Sequence, residues 1–243
     1  MGEFQYIGGC KIESMEYNEI RLTESVKPNG TGGITMNEQF YELPEEKQMR
    51  IINAALEVFA KNEYKRAVTD DIAAKAGISK GLLFYYFHNK KSLYQFLYNY
   101  AGESVKKAVM DQHYEEKTDF FEMIEYAADV KLQFLKKTPY LLEFVMRAFY
   151  ATQGDQTGEL QLALQYDTEQ LYLEYFNNID YSAFRDDVDP KGIYQMITWM
   201  TDGYMHEKKL QDSFTEADID AIMEECRRWI LMMKRVAYKE EFL

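Results

Sequence analysis

The stretch TDDIAAKAGISKGLLFYYFHNKKSL, residues Thr69–Leu93, decides the fold class of the part of the chain around it. Its pattern predicts two short helices, with Thr69 and Ser79 as the expected N-caps. Between them stands Gly77, the residue type that most readily takes the positive φ found at helix ends. Two short helices joined by such a tight turn form a helix–turn–helix, which lays its second helix in the major groove of DNA.

Outward from this stretch, apolar residues recur at helical spacing along most of the chain. With only four prolines among 243 residues, long helices can form, and apolar residues at 47% supply a packed core. The predicted helices lie near 45–62, 69–76, 79–87, 90–112, 119–137, 139–153, 157–179, 190–210 and 215–239. The fold class is therefore all-α.

Charge is unevenly distributed along the chain. A formal net charge of −13 by itself argues against a nucleic-acid partner, because phosphate is also negative. Residues 45–110, however, hold 11 Lys/Arg against 7 Asp/Glu, whereas residues 111–243 hold 14 against 27. A basic segment beside an acidic one fits a DNA-binding head joined to a domain that avoids phosphate. An acidic C-terminal part that merely aids solubility is the alternative interpretation.

Residues 1–40 differ from the rest of the chain. They hold six of the thirteen glycines and show no helical period. Met36 stands just before the first helical pattern, and two interpretations remain open: a non-native start, or a native arm whose acidity disfavours DNA contact. The predicted organisation is an irregular leader at 1–40, a helix–turn–helix domain at 41–97 and a helical remainder at 98–243.

Several other classes of function have no support in the sequence. A buried thiol suits Cys226 better than a disulfide, because Cys10 and Cys226 lie far apart. The chain has no run of about 18 apolar residues, which predicts a cytoplasmic protein with no membrane partner. The three histidines are scattered, and no phosphate-binding glycine loop or nucleophile elbow occurs. We therefore expect no enzyme, no metal site and no cofactor.

The runs RIINAALEVFAKNEY and VTDDIAAKAGISKGLLFYYFHNKKSL together resemble the DNA-binding domain of the TetR family of bacterial transcriptional regulators. The resemblance covers about Arg50–Leu97, one fifth of the chain. It implies an N-terminal three-helix helix–turn–helix domain and a C-terminal helical domain for ligand binding and dimerisation. The resemblance also implies the function: the protein is expected to be a ligand-responsive dimer that binds a palindromic operator in double-stranded DNA and represses transcription.

The resemblance also implies a set of DNA contacts, which the chemistry of the side chains supports. Lys80 can donate to guanine O6 and N7 or to phosphate, and Gly81 lets DNA approach closely. Phe84 keeps the apolar contact of the tyrosine usual there, and Tyr86 is the tyrosine expected to be partly buried. The full predicted set, phosphate contacts included, is Thr69, Ser79, Lys80, Gly81, Phe84, Tyr85, Tyr86, Lys90 and Lys91.

Some positions depart from the family pattern. Leu82 stands where a phosphate-binding threonine is common, and Asp70 and Asp71 lie near the expected DNA side. Glu63 replaces the usual glycine after the first helix, so we expect Asn62 to take the left-handed turn. The departures near the DNA side keep an alternative open: a helical protein-interaction module with a degenerate DNA head.

The last two predicted helices carry the strongest apolar periodicity. Such stripes serve either as core within one subunit or, as the resemblance implies, as half of a four-helix interface in a homodimer. The residues predicted for dimerisation are Ile193, Met196, Ile197, Met200, Ile219, Ile222, Met223, Cys226, Trp229, Ile230 and Met233.

The helices near 119–179 are rich in aromatic residues and methionine. Most of these side chains are expected to be core, but a few could line a cavity for a small-molecule effector, apolar or aromatic and of unknown identity. The candidates are Phe134, Glu143, Phe144, Arg147, Tyr150, Tyr172 and Phe176. An acidic group among aromatic rings would also suit a cationic ligand.

Overall fold

The computed structural model describes residues 5–7, 10–12, 37–110, 113–150, 168–209 and 216–243. The helices in these ranges are α1 Glu45–Lys61, α2 Thr69–Ala76, α3 Lys80–Phe87, α4 Lys90–Val109, α5 Phe120–Lys136, α6 Pro139–Tyr150, α7 Thr168–Tyr175, α8 Pro190–Lys209 and α9 Glu216–Ala237. The all-α fold class is confirmed. The predicted helical residues at 111–112, 151–153, 157–167, 210 and 215 lie outside the described residues.

The leader contains a short element that the sequence did not predict. Residues Gln5–Ile7 and Cys10–Ile12 form two antiparallel strands, β1 and β2, with Tyr6 opposite Lys11. β1 and β2 are the only strands in the described part of the chain. These six residues were expected to be irregular and are instead paired strands, and the fold class remains all-α.

The chain divides into two compact units. Met1–Val109 and Lys131–Tyr166 form the first, while Met110–Val130 and Asp167–Leu243 form the second. The domain borders expected at residues 40 and 97 stay a prediction. None of the helices in the described ranges is both long and apolar enough to cross a membrane.

The core of the first unit includes a residue that precedes the first helix. Phe40 lies in a short 3-10 turn, Glu38–Phe40, and is completely buried. Its ring packs 4.9 Å from Phe87 and 5.5 Å from Phe96, measured between centroids. Aromatic pairs at such distances add stabilisation beyond the area they bury. The segment just before α1 is therefore held against α3 and α4.

The end of α1 differs from the expectation. Asn62 has an extended backbone, with φ −134° and ψ 143°, and does not take the predicted left-handed turn. Its side-chain amide donates to the carbonyl of Val58 at 2.9 Å, and its backbone N–H donates to the same oxygen at 3.1 Å. These bonds satisfy a terminal carbonyl of the helix, so no positive φ is required.

Helix α6 packs against α1 within the first unit. Phe144, fully buried, lies 6.3 Å from Phe59 and 5.0 Å from Tyr94 between ring centroids. Near the same place the Arg147 guanidinium donates to the carbonyl of Ala60, in the last turn of α1. The burial of Phe144 and the hydrogen bond from Arg147 thus hold the C-terminal end of α1 against α6.

In the second unit, Asp119 connects the start of α5 to the end of α9. Its Oδ1 accepts from the backbone N–H groups of Phe121 and Glu122, at 3.0 and 2.9 Å. The Tyr238 hydroxyl donates to its other oxygen at 2.9 Å, and the Lys234 ammonium lies 3.5 Å from Oδ1. One carboxylate therefore caps α5 and anchors the chain after α9.

Candidate nucleic-acid interface

The turn between α2 and α3 has the geometry that the sequence predicts. Gly77 is left-handed, with φ 64° and ψ 38°, and its N–H donates to the carbonyls of Ala73 and Ala74. The Arg50 side chain in α1 donates through Nε to the carbonyl of Ala76 at 3.0 Å. Since this oxygen has no partner within α2, the arginine both satisfies it and ties α1 to the turn.

Helix α3 begins at a side-chain cap and buries one face. Ser79 Oγ accepts from the backbone N–H of Leu82 at 3.1 Å, which confirms the predicted cap. Leu83 and Phe87, one turn apart, are both 0% exposed. Because one face is buried, the opposite face of the first turn is presented to solvent.

The outward face of α3 carries residues predicted to contact DNA. Lys80, Gly81 and Tyr85 are exposed, and Phe84 is half-buried. A Cβ added at Gly81 would meet nothing closer than Ser79 Oγ, at 4.0 Å, so the space above the glycine is open. The start of α3 can therefore approach a flat partner without obstruction from its own side chains.

Lys80 makes an ion pair with a residue of α2. Its ammonium lies 2.8 Å from Asp70 Oδ2, and both side chains are at least half exposed. Asp70 and Asp71 occupy the first turn of α2, where the partial positive charge of the helix end favours carboxylates. The departure from the family pattern at Asp70 is thus in direct contact with the lysine expected to read bases.

The two adjacent tyrosines of α3 have different environments. Tyr86 is 5% exposed and packs edge-on against Phe40, as expected for the more buried of the pair. Tyr85 is 48% exposed, and its hydroxyl donates to Gln39 Oε1. The backbone N–H of Asn37 also donates to the carbonyl of Tyr86 at 2.8 Å. The segment 37–40 is therefore part of this surface, although the sequence did not indicate it.

Helix α2 spans the predicted residues, but its N-cap is one residue earlier than predicted. Val68 is the N-cap, without a side-chain hydrogen bond, and Thr69 is the first helical residue. Thr69 is half-buried at the end of α2. Its hydroxyl is therefore not the expected cap, although Thr69 is still in the first turn of α2, the end of a helix that favours anions.

The connection between α3 and α4 is a tight γ-turn. His88 has a positive φ of 57° with ψ −48°, and the N–H of Asn89 donates to the carbonyl of Phe87 at 2.6 Å. Asn89 Oδ1 then accepts from the backbone N–H of Ser92 at 2.9 Å and caps α4. His88 is thus the central residue of the turn, and Asn89 is the cap of α4.

Lys90 and Lys91 open α4, as the sequence predicts, and both are half-buried. The Lys90 ammonium donates to the carbonyls of Lys65 and Ala67, at 3.3 and 3.0 Å, and lies 4.7 Å from the centre of the Tyr64 ring. Burial lowers the pKa of Lys90 below its ordinary value. Lys90 therefore connects α4 to the loop between α1 and α2 in this conformation.

The residues predicted for an effector site fall into two groups. Phe134, Glu143, Phe144, Arg147 and Tyr150 belong to the first unit, and Tyr172 and Phe176 belong to the second. Phe134 and Phe144 are fully buried, and Arg147 donates to Glu143 at 3.0 Å. The side chain of Tyr150 lies outside the described residues.

Within the second unit, Tyr172 and Phe176 are part of an aromatic cluster. Their rings stack 4.8 Å apart, and each packs against Tyr194 of α8, at 5.4 and 5.2 Å between centroids. Burial, together with the hydroxyl of Tyr181 at 3.3 Å, raises the pKa of Tyr172. The predicted role of these residues in effector binding stays a prediction.

The residues predicted for dimerisation divide by exposure. Those buried within the unit are Ile193, Ile197, Ile222, Cys226 and Ile230. Met200, Met223, Trp229 and Met233 are half-buried, and the side chain of Ile219 lies outside the described residues. Met196 is 40% exposed.

Three more exposed apolar side chains on the same two helices were not in the predicted set. Trp199 on α8 is 63% exposed, and Met232 and Val236 on α9 are 62% and 58% exposed. Met196, Trp199, Met232 and Val236 are called the α8–α9 patch below. Apolar side chains left this open on the two C-terminal helices are typical of an interface.

Buried Cys226 carries a free thiol, as predicted. Across the described ranges, no three His, Cys, Asp or Glu side chains lie together in a way that could hold a metal ion.

Comparison with known proteins agrees with this geometry. The family model described as "Bacterial regulatory proteins, tetR family" matches residues 51–96, which span α1–α3 and the start of α4. The fatty acid metabolism regulator protein of Bacillus subtilis is 43% identical over 47 residues, which are 19% of this chain and 24% of that protein. The chain thus aligns with about a quarter of the length of this relative.

Similarity in fold extends over most of the chain. The fatty acid degradation regulator FadR from Bacillus halodurans aligns with a TM-score of 0.57 at 21% identity, covering 77% of this chain and 94% of that one. FadR from Bacillus subtilis, solved in complex with stearoyl-CoA, aligns with a TM-score of 0.53 at 22% identity, covering 73% and 96%. Residues 51–96 of this chain are therefore similar to the TetR family of bacterial regulatory proteins, and the all-helical fold is shared with the two FadR structures.

Proposed function

We propose that this regulator is a homodimer that binds a palindromic operator through α3, represses transcription and is released by a small-molecule effector. The observation that carries the proposal is the outward face of α3. Lys80 and Gly81 are exposed at its N-terminal end, while Leu83 and Phe87 anchor the opposite face in the core. The N-terminal end of a recognition helix is the part that contacts base edges.

The distribution of charge supports the same proposal. Residues 45–110 carry more basic than acidic groups, although the whole chain has a net charge of −13. Phosphate contacts supply most of the affinity for DNA, whereas contacts to base edges supply the sequence preference. A basic head on an acidic protein directs DNA to that head and away from the rest of the molecule.

For the dimer, the α8–α9 patch supplies the surface. Ile193, Ile197, Ile222 and Ile230 are already buried within the unit. The exposed Trp199, Met232 and Val236 are therefore among the residues available to a second copy. Tryptophan is enriched among the residues that dominate interface energetics. A two-fold dimer would present two α3 helices to half-sites about one helical turn apart.

Release by an effector follows from the spacing requirement. Both recognition helices can dock only when the distance between them matches the operator, so a ligand that prefers another spacing shifts the population away from DNA. We propose an effector with an apolar or aromatic body. The fold shared with a FadR structure that holds stearoyl-CoA makes a fatty acyl thioester the first compound to test.

A protein-interaction module with a degenerate DNA head is the second candidate. Two observations support this candidate: Lys80 is paired with Asp70, and Tyr86 is buried. Two of the residues expected to contact DNA therefore make contacts within the protein instead. The two candidates differ in one result: only a DNA-binding regulator enriches a discrete sequence from a random pool of duplexes.

The Gly81→Ala variant tests the approach of DNA to α3. We expect its fold to be intact and its free energy of unfolding to be equal or up to about 1 kcal/mol higher, because alanine favours a helix and the added Cβ has free space. Its affinity for a duplex selected by the wild type should fall about tenfold or more, since the methyl group occupies space that DNA requires. Thermal unfolding and fluorescence anisotropy measure the two quantities. Equal DNA affinity of the variant and the wild type would contradict this docking surface.

The Trp199→Asp variant tests the dimer. A buried charge in place of a central aromatic side chain should weaken dimerisation by about thirtyfold or more. Leu173→Asp is the matched control, because Leu173 is 64% exposed, much like Trp199 at 63%, but lies on α7. Sedimentation velocity should show a monomer for the Trp199 variant and a dimer for the control. A dimer in both, or a wild type that is monomeric, would refute the assignment of the patch.

The effector proposal predicts that stearoyl-CoA lowers the affinity of the wild type for its selected duplex, whereas free coenzyme A does not. The difference isolates the apolar chain, which should supply most of the binding free energy. Calorimetric titration of the protein with both compounds, followed by anisotropy with labelled duplex, measures it. If stearoyl-CoA and free coenzyme A changed the affinity for the duplex equally, the proposal that the apolar chain is recognised would be contradicted.

A further inference from the structure

The ion pair between Asp70 and Lys80 lies where α2 and α3 begin. The carboxylate is in the first turn of α2, and the ammonium belongs to the first residue of α3, at 2.8 Å. Side-chain exposures of 60% for Asp70 and 50% for Lys80 leave both groups accessible to a partner. The pair therefore presents donors and an acceptor together, at the end of α3 that approaches DNA.

The hydrogen-bond donors of Lys80 and the acceptor of Asp70 together match a G·C base pair better than they match a phosphate group. Lysine has three N–H donors, of which one is directed to Asp70 Oδ2. A G·C pair shows N7 and O6 acceptors on guanine and an N4 donor on cytosine in the major groove. The remaining ammonium donors can serve guanine while the carboxylate accepts from cytosine. A phosphate offers only acceptors and negative charge, so the same carboxylate repels it.

We propose that Asp70 is a specificity-determining residue, which directs Lys80 to a G·C base pair and disfavours its use as a phosphate contact. The inference rests on the proposed DNA-binding function and adds a base preference to it. Asp70 lowers affinity for DNA of arbitrary sequence, and by doing so increases the ratio of specific to non-specific binding.

The neighbouring Asp71 provides a matched control. It lies in the same turn of α2 and is exposed, and no ion pair is found for it among the described residues. Asp70→Asn and Asp71→Asn remove the same charge from the same helix end and lose the same favourable interaction with the helix dipole. A difference between the two variants is therefore due to the contact with Lys80 rather than to net charge or helix stability.

The experiment uses the full-length protein and four forms of it: the wild type, Asp70→Asn, Asp71→Asn and Lys80→Ala. Each is used to select duplexes from a random-sequence pool, and each is titrated with an unselected 30-base-pair duplex over a range of salt concentrations. Thermal unfolding establishes that the variants are folded. The readouts are the base preference at each operator position, the non-specific affinity and the salt dependence.

We expect the wild type to enrich a half-site with a G·C pair at one position. Asp70→Asn and Lys80→Ala should both lose the preference at that position, and Asp71→Asn should keep it. Asp70→Asn should also bind the unselected duplex about fivefold more tightly, with a salt slope steeper by about one, because the released ammonium gains a phosphate.

Identical behaviour of Asp70→Asn and Asp71→Asn would overturn the inference while leaving DNA binding in place. A base preference that survives in Asp70→Asn would do the same. A wild type that enriches no sequence would instead overturn the proposed function, and this inference with it.

Discussion

Leu83 and Phe87 are completely buried on one face of α3, and the rest of the proposed DNA-binding surface depends on that burial. A helix of eight residues has little stability by itself, because nucleation is costly and tertiary packing supplies most of the stabilisation. Anchoring these two side chains fixes the rotation of α3 about its axis. Lys80 and Gly81 then face outward as a consequence of which residues are buried.

The same burial connects α3 to its surroundings. Phe87 packs against Phe96 of α4 at 5.1 Å and against Phe40, which precedes α1. Lys90 adds a polar connection from α4 to the loop after α1. A displacement of α4 would therefore be transmitted to α3 through side chains in contact. Packed contacts of this kind are one route by which a change elsewhere in the chain can alter the position of α3.

Local patterns in the sequence were sufficient to predict the helices, the turn at Gly77 and the N-cap of α3 at Ser79. Leu83 and Phe87 lie four residues apart, a spacing that places two side chains on one face of a helix, and Gly77 and Ser79 predicted the turn. Contacts between residues distant in sequence could not be predicted in this way. Lys90 donates to the carbonyl of Ala67, 23 residues earlier, and no local signal distinguishes that role from a phosphate contact.

The dimerisation stripe shows a second limit of sequence patterns. Helical periodicity marks apolar faces but does not separate a face buried within the unit from a face left for a partner. Ile197 and Trp199 lie on the same helix, yet the first is 6% exposed and the second 63%. The N-cap at Val68 in place of Thr69 is a difference of another kind, because a threonine at a helix end is equally compatible with the cap and with the first helical residue.

The central claim is that a protein with a net charge of −13 binds DNA through a local basic head. The salt dependence of binding to a selected duplex tests it most directly, because each phosphate contact releases counterions from the DNA. The account predicts a steep loss, about a thousandfold in affinity between about 50 mM and about 200 mM salt, for a dimer making six or more phosphate contacts. An affinity that does not change with salt would contradict it.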